Sequence, residues 1–61
     1  MTREELKELY GDVWNTQELQ RDFKVNSFLA PLVLVERKED NKHGTLQFQH
    51  SPRYYFKFEE T

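Results

Sequence analysis

With 61 residues and no cysteine, the chain has room for one small domain, 1–61, and no disulfide to staple it. A charged fraction of one third and a formal charge of −2 suit a protein in water and exclude a global attraction for nucleic acid or for an anionic membrane. No apolar run approaches the ~20 residues of a spanning helix, and the acidic start lacks the basic and apolar regions of a secretion signal, so a cytoplasmic protein with no membrane partner is expected.

Thr2 and Glu5 have capping-box spacing, in which hydroxyl and carboxylate each satisfy a backbone donor at a helix start. A helix from about Arg3 to Tyr10 is predicted, with Leu6, Leu9, Tyr10 and Val13 as its apolar stripe and Gly11-Asp12 as its end. Asn15 and Glu18 repeat the spacing, which predicts a second helix over Gln17 to Lys24 with Leu19 and Phe23 as its buried pair. Trp14, just ahead of the second cap, packs back as a staple or seals the gap between the helices. The segment 16–27 has the look of the first helix and turn of a helix-turn-helix DNA reader. The next residues break that pattern: Pro31 pushes Ala30 out of the helical region, and Leu32-Val33-Leu34-Val35 favours a strand over a recognition helix.

Three strand-like runs come next, Leu32–Lys38, Thr45–His50 and Arg53–Phe58, joined by the polar loop Glu39–Gly44 and the turn at Ser51-Pro52. They read as a three-stranded antiparallel meander. Strict alternation puts Leu46, Phe48 and His50 on one side of the second strand and Tyr54, Phe56 and Phe58 on one side of the third, and these aromatic sides are the expected core. Tyr55 then falls on the polar side with Arg53 and Lys57. The first strand is apolar on both sides and would be a sheet edge in a three-strand meander, so Leu32, Val33, Leu34 and Val35 are the expected interface of a homodimer. A lone core of this size supplies only about 3–5 kcal/mol, which also favours a partner chain.

Residues that carry chemistry are few. His43 and His50 fit no zinc spacing and lack a third donor, Ser27 and Ser51 have no glycine elbow, and two glycines cannot build a phosphate loop. No catalytic residue, metal or cofactor is expected, and the protein is read as a non-enzyme. The meander carries a small positive excess. Arg37, Arg53, Tyr55 and Lys57 are therefore the candidate interaction residues, for a protein partner first and for a single strand of nucleic acid as the alternative.

The linked pattern Phe28-x-Ala30-Pro31-x-Val33-x-Val35-x-Arg37-Lys38-x-Asp40, followed by Gly44-Thr45-Leu46-x-Phe48-Gln49-His50-Ser51-Pro52-Arg53-x-Tyr55-Phe56, resembles small uncharacterised proteins of marine cyanobacteria and their T4-like phages. The resemblance covers nearly all of the chain after Trp14. Asn41-Lys42-His43 stands where that family would have a tighter Asp-Gly type of turn. The resemblance implies a phage or cyanobacterial setting, with the host cytoplasm as the site of action if phage-encoded, and a host protein as the partner. It carries no functional residue across.

The expected fold is α+β, with one or two short N-terminal helices (about 2–24) packed on the aromatic face of the meander (about 32–58). The expected function is that of a non-enzymatic interaction protein, a homodimer that binds another protein. The alternative is a small nucleic-acid binder that uses the segment 16–27 or the Arg53/Tyr55/Lys57 face.

Overall fold

A computed structural model describes all 61 residues. Helix α1 (Arg3–Tyr10) is followed by a two-residue strand β1 (Val13–Trp14), helix α2 (Thr16–Asp22), and strands β2 (Phe23–Leu29), β3 (Leu32–Arg37), β4 (Lys42–Gln49) and β5 (Tyr54–Glu60). Both capping boxes form. Glu5 N–H donates to Thr2 Oγ1 at 3.2 Å and Thr2 N–H to Glu5 Oε1 at 2.9 Å, and Glu18 N–H and Asn15 N–H make the corresponding bonds at 2.8 and 3.0 Å. At the end of α1, Gly11 sits at φ +85° and its N–H donates to the Lys7 carbonyl. A side chain would strain that conformation.

The fold is α+β, and its sheet is wider than the predicted meander. All five strands form one antiparallel sheet in the order β1-β5-β4-β3-β2. The meander is its centre, and two strands are added outside it. Helix α2 stops at Asp22, two residues before the predicted end, because Phe23 is extended (φ −133°, ψ 152°) and opens β2 without a loop. Phe23 keeps its predicted burial from this new position. The segment 16–27 is thus a helix followed by a strand, not the start of a helix-turn-helix. The expected loop at Glu39–Gly44 also contracts. Lys42, His43 and Gly44 pair in β4, and the turn closes on Asn41 at φ +58°, with its N–H bonded to the Arg37 carbonyl at 2.7 Å.

Pairing with β2 moves β3 from the predicted edge into the sheet interior. Its backbone edge is closed on both sides. Val33 and Val35 are buried in the core, while Leu32 and Leu34 point to the opposite face and stay part-exposed. As a dimer interface the four residues are therefore divided, and only Leu32 and Leu34 remain accessible.

The helices lie on opposite faces of the sheet, not together on one aromatic face. Val13 pairs with Phe56 and Trp14 with Tyr55, so alternation sends the first pair to one face and the second to the other. Leu6 of α1 packs with Val13 and Phe56; Leu19 of α2 packs with Phe23, Val33, Val35, Leu46 and Tyr55. Arg3 holds the two layers together around the β1 edge, donating to the Val13 carbonyl at 3.1 Å and to Glu18 on α2 at 2.7 Å.

The face assignment of β5 departs from strict alternation for one reason, a bulge. Thr45 pairs with Glu59 and Gln47 with Phe56, so one residue of β4 faces two of β5, and Lys57 takes up the extra length at φ +58°. Tyr55 and Phe58 consequently pack on the same cluster. Tyr54 and Phe56 serve the α1 side, and Phe48 and Phe56 are on opposite faces.

Candidate functional site

The turn between β2 and β3 and the turn between β4 and β5 lie at the same end of the sheet, as the pairs Leu29–Leu32 and Gln49–Tyr54 require. There the Arg53 side chain lies over three aromatic rings from three strands. Its guanidinium carbon is 5.6 Å from the ring centre of Phe28, 5.0 Å from Phe48 and 5.6 Å from Tyr55. Its Nε donates to the Tyr55 hydroxyl at 2.9 Å. Phe48 is held edge-on between Phe28 and His50, with ring centres at 5.8 and 5.5 Å. Cation–π contact and the hydroxyl bond fix the guanidinium plane and leave its terminal NH2 groups without a partner.

Arg53 is set apart by what it does not touch. Arg3, Arg21 and Arg37 each meet a carboxylate, at 2.7, 3.0 and 2.7 Å. Arg53 meets only rings and a phenol. It forms one wall of a cleft of about 320 Å³ between α2 and β2, with Leu19, Val25, Phe28 and Tyr55 as its apolar lining and Thr16 and Gln20 at its rim. Beside the cleft runs the outer edge of β2, which no strand covers. Phe28 and Leu29 at the end of that strand are 53% and 67% exposed. A small chain with few apolar residues to bury leaves two adjacent ones in water here.

Of the predicted interaction residues, the structure brings Arg53 and Tyr55 together and separates the other two. Tyr55 is buried in the core, not on a polar sheet face, and reaches Arg53 through its hydroxyl. Lys57 occupies the β5 bulge and pairs with Glu59 at 3.6 Å. Arg37 lies over Phe58 at the far side of the core, and its hydrogen bonds hold the Asp40 carboxyl down to about 2. The platform Arg53/Tyr55/Lys57 that would stack a nucleic-acid strand is therefore not assembled. A second cleft, of about 340 Å³, is lined by Arg21, Asp22 and Arg37 among others, but these charges already neutralise one another or Asp40. His43 near the start of β4 and His50 just past its end are held apart by the strand, and no three potential metal ligands converge.

Phe28 and Phe48 are not among the predicted interaction residues; Phe48 is expected only in the core, where it packs on the α2 cluster. The signal for Phe28 is present in Phe28-Leu29-Ala30-Pro31, an apolar run leading into a turn with no polar residue in it. No helix is long and apolar enough to cross a membrane. Protein-family models, curated proteins and solved structures were each compared with the chain, and none matches it.

Proposed function

We propose that this is a non-enzymatic interaction protein that binds a segment of another protein along β2. The uncovered outer edge of β2, beside an apolar cleft and ending in exposed Phe28 and Leu29, carries the reading. An open edge offers unpaired backbone donors and acceptors, and strand addition is a common way for a small domain to use them. In the phage or cyanobacterial setting that the sequence resemblance implies, the partner is a host protein. Self-association is a second reading, supported by Leu29, Leu32 and Leu34, which share the sheet face opposite α2.

The test is affinity capture from cyanobacterial lysate with the parent protein and with a Phe28→Ala, Leu29→Lys double variant. Both positions are exposed, so the variant should fold. A partner captured by the parent and lost by the variant is the expected result. A partner retained in full by the variant places the binding surface elsewhere.

A further inference from the structure

We infer that the segment bound along β2 is an extended peptide with an acidic side chain opposite Phe28 and an apolar side chain two residues later. This rests on the strand-addition reading and names the chemistry of its partner. Every pairing in the sheet is antiparallel, and a strand added to β2 in the same sense begins beside Leu29 and runs towards Phe23. Phe28 and Val25 pair with Val33 and Val35, so the bulge at Asn26 turns both side chains to the α2 face as if they were two residues apart. A regular strand on the outer edge presents alternate residues to those two positions. The first meets Arg53, whose terminal NH2 groups are unpaired and whose plane is already set by Phe28, Phe48 and Tyr55. A carboxylate is the group that such a fork takes in two parallel bonds. The second enters the cleft against Leu19 and Val25.

A second copy of the chain is the poorer occupant. The β2 sequence Phe-Lys-Val-Asn-Ser-Phe-Leu contains no acidic residue, so β2 paired with β2 brings no carboxylate to Arg53 and places Lys24 of each copy on the new seam.

Selection from a random displayed peptide library, against the parent protein and against Arg53→Gln, tests the inference. The parent should enrich peptides with Asp or Glu two residues before a Val, Ile, Leu or Phe, and Arg53→Gln should lose the acidic preference while keeping the apolar one. For the best synthetic peptide, Arg53→Gln or exchange of the acid for its amide should each weaken binding about tenfold, the size of one charge-assisted pair, and together no further. Exchange of the acid in the peptide leaves the protein untouched, so a folding defect in Arg53→Gln cannot mimic the result. Backbone amides of β2 should become protected from exchange on binding. Enriched peptides without an acid, or with an acid indifferent to Arg53, overturn this inference and leave strand addition standing. No enriched peptide at all, or a concentration-dependent dimer that protects β2 by itself, overturns both.

Discussion

A Cβ placed on Gly44 would lie 2.6 Å from Cε1 of Phe58 and 2.6 Å from the backbone oxygen of Glu59. The Phe58 ring therefore rests directly on the β4 backbone, and the glycine is what permits the bulged β5 to stay paired there. Gly44→Ala should destabilise the protein by about 1–3 kcal/mol, the usual range for forcing atoms into a filled core. In a domain this small each kcal/mol moves the midpoint by roughly 4–8 °C. Thermal melts followed by circular dichroism should show that drop, and an unchanged midpoint would mean that the ring does not cover Gly44 in solution.

Lys57 holds the β5 bulge at φ +58°, a left-handed conformation that costs a residue with a Cβ roughly 1–2 kcal/mol. Its ion pair with Glu59, at 3.6 Å and exposed at both ends, contributes little. Lys57→Gly removes the strain and gives part of the gain back as unfolded-state entropy, so a net gain of about 0.5–1 kcal/mol is expected. Lys57→Val should lose stability, since a β-branched side chain tolerates this region least. Urea midpoints should rank glycine above lysine and lysine above valine; any other order would contradict the bulge geometry.

The parts of the fold that were legible in the sequence are those fixed by local chemistry. The capping boxes at Thr2 and Asn15, the end of α1 at Gly11 and the meander β3–β4–β5 each follow from short-range spacing and turn residues. The illegible parts depend on partners distant in sequence. Phe23 satisfies a helical spacing with Leu19 as well as it fits a strand, and only pairing with β3 decides between them. Val13-Trp14 is too short to carry a period of its own. The stripe of α1 is only partly used: Leu6 is buried and Tyr10 stacks on Phe56 with ring centres 4.8 Å apart, while Leu9 is left 63% exposed, because the helix covers only β1 and β5. At the site, strict alternation picks out Arg53 and Tyr55 for the wrong reason. It puts them on a polar face, whereas α2 covers that face and buries Tyr55 beside Leu19, the bulge at Lys57 brings Phe58 round to the same side, and Arg53 caps the cluster through the Tyr55 hydroxyl.

The Arg37–Asp40 pair sets an acid limb on stability. Hydrogen bonds from Arg37, helped by the Lys42 N–H, bring the Asp40 carboxyl from its ordinary 3.8 to about 2 in the folded chain. Between those values the unfolded chain binds more protons, so the stabilisation is fully present above about pH 4 and is withdrawn as pH falls through about 2. Glu18 and Asp22 are lowered in the same direction, first by the Asn15 backbone N–H and by Arg21 respectively, and steepen the loss. Stability should therefore fall from pH 4 to pH 2, and Asp40→Asn should flatten that fall while lowering stability at neutral pH. An NMR titration of the carboxyl carbon checks the cause: a midpoint near 3.8 in the parent would show the pair open in solution, and Arg37→Gln should raise the midpoint towards that value.

Neighbouring residues of β3 should respond in opposite ways to the same substitution. Val35 is 1% exposed, packed in the cluster that Leu19 and Leu46 share, and no carboxylate is buried there to receive a cation. Val35→Lys must either expose the core or bury an unpaired charge, a cost of several kcal/mol that exceeds what a lone domain of this size has in reserve. It should be unfolded. Leu34 pairs with Ser27 and Thr45 on the other face, away from α2, and α1 lies over β1 and β5 at the far end of that face. A lysine at position 34 can reach water, so Leu34→Lys should fold with a melt within a few degrees of the parent. That makes it a clean probe of self-association. If Leu29, Leu32 and Leu34 form a seam between two copies, sedimentation should show a parent dimer that Leu34→Lys converts to a folded monomer, because the charge would be stranded in the seam. A parent that stays monomeric to high micromolar concentration removes the seam, and an unfolded Leu34→Lys would show that the face opposite α2 is covered by the chain itself.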